Sequence, residues 1–345
     1  MKINILFDFT KPAGGGKQFL KALKNDFLKA GFYTENQEQA DVFLFNSYHN
    51  LQEVIALKKK YPKKVFIHRL GPVFYLHRGK HWKSVDKTVL DLSQRIADGF
   101  IFQSTWSLNE AENLGFKVNE ANYKIILNWP DKNIFFPLKE RAFIQGNNQK
   151  TKLISTSWSS NKNKGFEVYK FLDARLDFKK YEMVFLGNLP SGLTFKNIKH
   201  VPALPSSEVS RYLRASDIFI TAAKDEACSN ALIEAMACGL PCLAFNSSSN
   251  PEVLGAGGEL FESPPDLLNK LEKIVKNYHI YQNCLPVYLV QNTAKTYLQF
   301  IQRLFTMRQG GQIKLKRISF KDKLKFLKIQ AFLFKGRVIN KMKII

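Results

Sequence analysis

The sequence predicts an α/β fold made of two doubly wound domains, each built on a parallel sheet. Short runs rich in Ile, Val and Phe recur along the chain, helical patterns separate them, and this alternation occurs twice. Buried parallel strands are typically continuous apolar runs, and their alternation with helices is typical of doubly wound sheets. The length of 345 residues also fits two domains of about 150 residues better than one hydrophobic core.

The apolar runs predict strands in two series. They are Ile3–Phe7, Val42–Phe45, Val65–Ile67, Phe100–Phe102 and Ile125–Leu127, followed by Leu153–Ile154, Met183–Leu186, Ile218–Ile220 and Leu243–Phe245. The segment from Asn128 to Pro137 and the polar residues 145–150 lie between the two series and predict a linker. We therefore expect an N-terminal domain over residues 1–145, a C-terminal domain over residues 146–285, and a cleft between them.

Composition places the chain among globular proteins, because 45% of its residues are hydrophobic and 23% are charged. The four cysteines form no CxxC pair, so we expect reduced, structural thiols. The N-terminus lacks the apolar segment of a signal peptide, and no run reaches the roughly 18 apolar residues that span a bilayer. A cytoplasmic location is the expectation.

The net charge of +23 is concentrated at the C-terminus. Residues 308–345 contain 12 Lys and Arg and one acidic residue, Asp322, so 11 of the net charges lie in the last 38 residues. Apolar residues recur there at three- and four-residue steps: Leu324, Leu327, Ala331, Phe334, Val338, Met342 and Ile345. This pattern predicts a basic amphipathic helix at an anionic membrane surface, with packing of the stripe on the N-terminal domain as the alternative. Residues 286–307 are expected to form a helix that returns to that domain.

Two carboxylates follow the predicted strand Ile218–Ile220. Glu226 lies on the loop after the strand, and Glu234 lies in the strongly helical segment that ends at Gly239. In a doubly wound sheet, loops at the carboxyl ends of the strands bind ligands. The helix start at Ser229, Asn230 and Ala231 offers free backbone N–H groups to an anionic diphosphate.

The sixteen residues from Glu226 to Pro241 resemble the signature of family 4 glycosyltransferases, in which Glu, seven residues and Glu precede Ala-Met-Ala-Cys-Gly-Leu-Pro. Other landmarks occur in that family's order, and the resemblance covers roughly residues 1 to 305. It implies a GT-B fold, a nucleotide-diphosphate sugar as donor and retention at the anomeric carbon. It also implies that Glu234 bonds the ribose hydroxyls and that Glu226 lies near the donor sugar and phosphate.

Lys164 and Gly165, just after the strand that contains Leu153, match the family's cationic position. The resemblance implies that Lys164 stabilises the leaving diphosphate, where negative charge develops as the glycosidic bond breaks. Many members carry an Arg a few residues earlier, whereas this chain has Trp158-Ser159-Ser160. Lys162 is the candidate substitute, although an ammonium lacks the bidentate fork of a guanidinium.

The N-terminal half supplies two further candidates. Gly14, Gly15 and Gly16 follow the first strand and permit positive φ and close approach of a phosphate or sugar, so they are predicted to bind the donor. His68 follows the strand at Val65–Ile67, and the resemblance makes it a candidate for bonding the donor sugar. Arg69, His77, Arg78 and His81 are candidates for the acceptor side.

No Asp-x-Asp motif and no metal-ligand spacing occur in the sequence, so we expect neither a metal nor another cofactor. The predicted reaction is sugar transfer to an acceptor hydroxyl on a glycan, a lipid-linked or another molecule. A nucleotide-sugar epimerase of similar shape is one alternative. A basic nucleic-acid-binding protein is the other, but no nucleic-acid motif accompanies the charge, and we expect no such partner.

Overall fold

A computed structural model describes residues 1–10, 15–138, 149–285, 289–327, 329 and 331. These residues form two compact units, each with its own parallel sheet. Unit 1 takes its described residues from Met1–Lys11, Leu23–Ile126 and Ala294–Ile345, and unit 2 takes them from Pro12–Ala22 and Leu127–Thr293. The predicted α/β class with two parallel sheets is confirmed.

Unit 1 has a five-stranded sheet in the described ranges, in which neighbouring strands follow one another in the chain. Its strands are β1 Ile3–Leu6, β2 Val42–Asn46, β3 Val65–Arg69, β4 Gly99–Phe102 and β5 Tyr123–Ile125. A parallel bridge between Ile3 and Tyr33 extends the sheet on the far side of β1, so the strand order reverses there. Helix α1 Gly15–Lys29 begins with residues of unit 2 and belongs to unit 1 from Leu23 onward. The next helices of unit 1 are α2 Leu51–Lys60, α3 Tyr75–Arg78, α4 Lys83–Ile96 and α5 Thr105–Asn113.

Unit 2 has a six-stranded sheet in the described ranges, with the order β11-β10-β9-β6-β7-β8. Its strands are β6 Thr151–Ser157, β7 Tyr181–Gly187, β8 Lys199–Val201, β9 Ile218–Thr221, β10 Cys242–Phe245 and β11 Gly258–Phe261. Its helices are α6 Phe166–Arg175, α7 Ser206–Arg214, α8 Asn230–Ala237, α9 Asn250–Leu254, α10 Pro264–Lys276 and α11 Tyr278–Asn283. The chain fills one side of β6 first and then continues on the other, which is the doubly wound pattern.

Apolar residues fill both faces of the sheet of unit 2. Leu153, Ile218 and Leu243 pack with α6 and α10, whereas their neighbours Ile154 and Phe219 pack with α8. Successive side chains of a strand point to opposite faces. Strands buried on both faces therefore need continuous apolar sequences, which explains why the runs predicted them.

The last helix, α12 Leu289–Gln309, joins unit 1 from Ala294 onward. Its side chains Tyr297, Ile301 and Leu304 are fully buried. A Cβ at Gly99 in β4 would lie 2.2 Å from a methyl carbon of Leu304, so the helix packs directly on the sheet, and a larger residue at this position would make Leu304 shift. Among the described residues, none of the helices is both long and apolar enough to cross a bilayer.

Two boundaries and two strands differ from the predictions. The chain changes from unit 1 to unit 2 at Leu127 rather than near residue 145, because Trp129 and Phe135 are buried in the core around α8. Strand β5 ends at Ile125 instead of beginning there. Strands β8 and β11 were not predicted, since neither is a continuous apolar run.

Candidate functional site

The strand order of unit 2 brings two loops together. Strands β6 and β9 are neighbours, but the chain leaves them toward opposite edges of the sheet. Their carboxyl ends therefore form a switch point, the place where open α/β sheets bind ligands. Residues 158–165 follow β6 and residues 222–229 follow β9.

Hydrogen bonds and one glycine hold these loops against each other. The backbone N–H of Lys224 donates to the Asn163 carbonyl at 2.8 Å, and the Asn163 side-chain amide donates to the Lys224 carbonyl at 3.1 Å. Gly165 has φ +71°, and a Cβ there would lie 2.3 Å from the Ala222 carbonyl oxygen. Only glycine permits both this left-handed conformation and this approach.

The paired loops place Lys164 beside Glu226. Lys164 Nζ donates to Glu226 Oε1 at 2.5 Å, although 62 positions separate the residues in sequence. The two side chains are only 23% and 21% exposed. The Glu226 backbone N–H donates to Ser248 Oγ at 3.1 Å, which fixes the loop from its other side. The result is a half-buried ammonium and carboxylate at the switch point.

Helix α8 follows Glu226 and carries Glu234. Ser229 is its N-cap residue, and Gly239 with φ +87° ends it, as the sequence predicts. The first N–H groups of a helix have no intrahelical acceptor, so this start is available to an anion. Asn230 accepts a hydrogen bond from the Asn128 side-chain amide at 3.0 Å. Ala231 is half-buried in the same turn.

Gly15 lies against Asn230. Gly15 and Gly16 are the first two residues of α1 and have no positive φ, so they belong to a helix start and not to a flexible loop. A Cβ at Gly15 would lie 2.5 Å from the Asn230 Cβ. Close approach of a side chain, and not a left-handed backbone, is therefore what requires glycine at this position.

A small pocket in unit 2 joins these elements to Glu234. Three predicted donor residues, Gly15, Asn230 and Glu234, lie on its wall. The other lining residues are Gln18, Phe19, Trp129, Pro130, Asp131, Ile134, Phe135, Ser206 and Ile233. Burial raises the pKa of Glu234 to about 8. Part of this side chain is still accessible, so a ligand in the pocket would meet a carboxyl group that is mostly protonated at neutral pH.

His68 is placed differently from its prediction. It lies in β3 of unit 1 and is fully buried. Its Nδ1 contacts Ser93 Oγ at 2.6 Å and its Nε2 contacts the Ser47 carbonyl at 2.8 Å. Burial lowers its pKa to about 3, so the ring is neutral. With both nitrogens engaged inside the domain, His68 has no atom available to a sugar in this structure, and these contacts favour a structural role.

The other predicted residues have separate places. Lys162 is exposed in the 3₁₀ turn Lys162–Lys164, close in sequence to the ion pair. Arg69 is buried and donates to Asn46 and to Gln103 at 2.6 Å. Arg78 stacks between aromatic rings, and His81 is exposed. Gly14 and the side chain of His77 lie outside what the structure describes.

Sequence reasoning missed several contributors to the site. Asn128, Trp129 and Asp131 were assigned only to a crossing between domains, yet Asn128 bonds Asn230 and the other two line the pocket. The sequence signal that could have indicated a role in binding is the run of Asn, Trp, Pro and Asp just after a predicted strand. Within the described ranges, no group of three His, Cys, Asp or Glu residues is arranged to hold a metal ion.

Several solved structures of GT-B glycosyltransferases have a fold similar to that of this chain. Sucrose-phosphate synthase from Thermosynechococcus elongatus aligns with a TM-score of 0.62 at 13% identity, over 97% of this chain and 99% of that one. Anabaena HepE in complex with UDP-glucose aligns with a TM-score of 0.59 at 14% identity, over 90% and 99%. The catalytic domain of Arabidopsis thaliana starch synthase IV bound to ADP and acarbose aligns with a TM-score of 0.56 at 12% identity, over 85% and 79%. The chain therefore has the GT-B fold.

The sequence adds a narrower match. Residues 191–288 match the profile of the family described as Glycosyl transferases group 1, and this segment contains Glu226, α8 and Glu234. No curated protein matches the chain in sequence. The segment that carries the family pattern thus contains both Glu226 at the switch point and Glu234 on the wall of the pocket.

Proposed function

We propose that the protein transfers a sugar from a nucleotide-diphosphate sugar to an acceptor hydroxyl, with retention of the anomeric configuration. The observation that carries this proposal is the contact between Lys164 and Glu226 at the switch point of unit 2. Helix α8 begins four residues after Glu226 and carries Glu234, which lies on the wall of the pocket. Unit 2 thus has a cation and a carboxylate at the switch point, and a helix start and a second carboxyl group along the segment that follows.

The cation and the helix start fit the diphosphate. An ammonium has three N–H donors, so Lys164 can keep its bond to Glu226 and donate to a phosphate oxygen at the same time. Charge develops on the diphosphate as the bond to the sugar breaks, and a fixed positive group stabilises that charge. The N–H groups at the start of α8 add further donors, and exposed Lys162 adds long-range attraction.

The two carboxyl groups have different roles in this proposal. Glu234 accepts hydrogen bonds from the two ribose hydroxyls, a pairing that acidic residues of dinucleotide folds also make. Glu226, held by Lys164, faces the sugar and its phosphate. Retention is supported by the resemblance of residues 226–241 to retaining enzymes. In such a reaction, the acceptor hydroxyl attacks the anomeric carbon on the same face from which the diphosphate leaves. The acceptor is a glycan, a lipid-linked or another hydroxyl compound.

Donor binding is the first test. A thermal-shift panel of UDP, GDP, ADP and CMP sugars identifies the donor, because a ligand that binds only the folded state raises Tm. UDP and ADP sugars come first, since HepE was solved with UDP-glucose and starch synthase IV with ADP. Incubation with the donor sugar alone also distinguishes a transferase from an epimerase, because an epimerase converts its substrate without an acceptor.

Variants of the ion pair test the site. Lys164→Ala and Glu226→Gln are expected to lower kcat by about ten- to a hundredfold, as loss of a charged hydrogen bond costs about 1.5–3 kcal/mol. Glu234→Ala is expected to weaken donor binding instead. The exposed pair Glu167 and Lys170 on α6 is the matched control, and Glu167→Gln with Lys170→Ala should leave transfer unchanged. Wild-type kinetics in the site variants would refute the assignment, and NMR of the product anomer decides retention.

A further inference from the structure

The chain continues after α12 along the surface of unit 1. Arg308 pairs with buried Asp98, and Lys316 Nζ donates to the carbonyls of Gln94, at 2.8 Å, and Ala97. Residues 320–327 are then helical, and we name them the tail helix. The side-chain hydroxyl of Ser319 accepts the Asp322 N–H at 3.3 Å, and the Asp322 carboxylate accepts the Ser319 N–H at 2.8 Å. This reciprocal capping fixes the start of the helix.

One face of the tail helix is fastened to unit 1. Asp322 is 2% exposed and pairs with Arg95 of α4 at 3.4 Å. Lys325 pairs with Asp91, also on α4. Phe326 and Ile329, which is also helical, pack on the hydrophobic core of unit 1. Positions 322, 326 and 329 lie on one side of a helix, so the tail helix is docked with a fixed orientation.

The opposite face of the tail helix is apolar and exposed. Phe320, Leu324 and Leu327 are 74%, 45% and 55% exposed. Their spacing of four and three residues aligns them in one stripe. Single exposed apolar residues are common on protein surfaces, but an aligned stripe on one helix indicates a surface that another phase or molecule covers. Leu324 and Leu327 belong to the stripe predicted from sequence, whereas Phe326 and Ile329 account for the docking.

The charge around the stripe identifies what covers it. Lys314, Arg317 and Lys321 are exposed in and just before the tail helix. Asp322, the one acidic residue between Arg308 and the C-terminus, is buried on the docked face. The exposed charged side chains named here, in and just before the tail helix, are therefore basic, and they accompany the apolar stripe along the chain. An anionic bilayer interface complements both, because the stripe enters the acyl boundary while lysines and arginines meet the headgroups. A nucleic acid would meet the basic groups and leave the stripe in water.

We propose that the tail helix is an interfacial binding site for anionic phospholipid membranes, with Phe320, Leu324 and Leu327 as the inserted side chains. The helix lies in the plane of the interface, and its docking on α4 brings unit 1 to the membrane surface. This proposal rests on the contacts of unit 1 and does not depend on sugar transfer. If transfer is also correct, a lipid-linked acceptor becomes the favoured substrate class.

Vesicle co-sedimentation of the full chain tests the proposal. We expect binding to phosphatidylcholine vesicles that contain phosphatidylserine, little binding to pure phosphatidylcholine, and weaker binding as salt rises. Phe320→Ser with Leu327→Ser is expected to reduce affinity by about tenfold or more. The matched control is Leu28→Ser with Ile280→Ser, which removes two apolar residues that are 51% and 62% exposed elsewhere, and which should bind like wild type.

A second pair of variants tests the charge. Lys314→Gln with Lys321→Gln is expected to reduce affinity by about tenfold or more, since each basic residue near an anionic leaflet contributes about fivefold. Lys170→Gln with Lys180→Gln, exposed on unit 2, is the control. Unchanged Tm shows that each variant is folded.

Three results would overturn the proposal. One is undiminished binding of the Phe320→Ser and Leu327→Ser variant, and another is equal binding to neutral and anionic vesicles. The third is a vesicle-free dimer, seen by sedimentation velocity, that the same variant converts to monomer, because the stripe would then be covered by a second copy. A soluble-acceptor transfer assay on the variants is a separate readout, so a failed membrane test leaves the proposed activity unaffected.

Discussion

Glu234→Gln gives the sharpest test of how unit 2 binds a donor. The substitution keeps the shape of the side chain and its capacity to accept a hydrogen bond, but it removes the ionisable group. In the ligand-free protein, burial raises the pKa of Glu234 to about 8. If the ribose hydroxyls donate to the carboxylate, donor binding has to ionise this group first.

The pKa sets the size and the direction of the effect. A group with a pKa of about 8 is roughly one-tenth ionised at pH 7 and nine-tenths ionised at pH 9. Donor affinity of the wild type is therefore expected to rise by about tenfold between pH 7 and pH 9 and then to level off. Affinity of Glu234→Gln is expected to be weaker at high pH and nearly independent of pH.

Calorimetric titration of both proteins measures this difference from about pH 6 to about pH 9. The ligand is the nucleotide sugar with the largest thermal shift, because its doubly esterified diphosphate does not titrate near neutral pH. Parallel pH profiles for wild type and Glu234→Gln would refute the reasoning, since the pH dependence would then arise from another group.

Further predictions concern the switch point, the buried histidine, the free protein and metals. Gly165→Ala is expected to destabilise the protein by about 1–3 kcal/mol and to lower transfer, because its Cβ would meet the Ala222 carbonyl. Gly192→Ala is the control with a similar φ of +77° and open space around it, so only the backbone cost is expected from urea unfolding of that variant. His68 is neutral in the folded protein with a pKa of about 3, below its ordinary 6.5, so its stabilising contribution is present above pH 6.5 and is lost as pH falls toward 3. In His68→Gln, Tm is therefore expected to fall less steeply than in wild type as the pH is lowered over this range. An equally steep fall of Tm in both proteins would contradict this. The pKa of Glu234 is raised from 4.5 to about 8, so the contribution of its protonated form to folding stability is present below pH 4.5 and is lost as pH rises toward 8. Glu234→Gln should therefore have a higher Tm than wild type at pH 8, but not at pH 4. Transfer is expected to survive excess EDTA, and full loss with recovery on added Mg²⁺ or Mn²⁺ would contradict this expectation.

Apolar periodicity located most of the sheet because both faces of the strands are buried. The runs around Ile154 and Phe219 are continuous, since alternate residues enter two different cores. The same rule explains the failures. Strand β8 is a mostly exposed edge strand, and β11 begins with Gly258-Glu259, so neither has an apolar run. Burial of Trp129 and Phe135 against α8 depends on packing between segments distant in sequence, which no local pattern contains.

The candidate site was predictable in its residue types but not in its contacts. The spacing of Glu226 and Glu234 and the stop at Gly239 are local, and α8 follows them closely. That Lys164 would touch Glu226 depends on β6 and β9 being neighbours, which is a property of strand order. The close approach of Gly15 to Asn230 has no local signal either. The assignment of His68 to a sugar came from the family resemblance and from its place after a predicted strand, whereas its burial is a tertiary property.

The position of α12 on the sheet of unit 1 has a consequence for biosynthesis. Most of unit 2 comes from one range of the chain, Leu127–Thr293, so it can fold while the ribosome is still adding later residues. Unit 1 cannot be completed in that way, because Phe300 and Leu304 of α12 pack on the surface of β4 at Gly99. The first half of the protein to be synthesised is thus the last to have its sheet fully covered, and during that interval nascent unit 1 presents the kind of exposed apolar sheet surface that molecular chaperones bind.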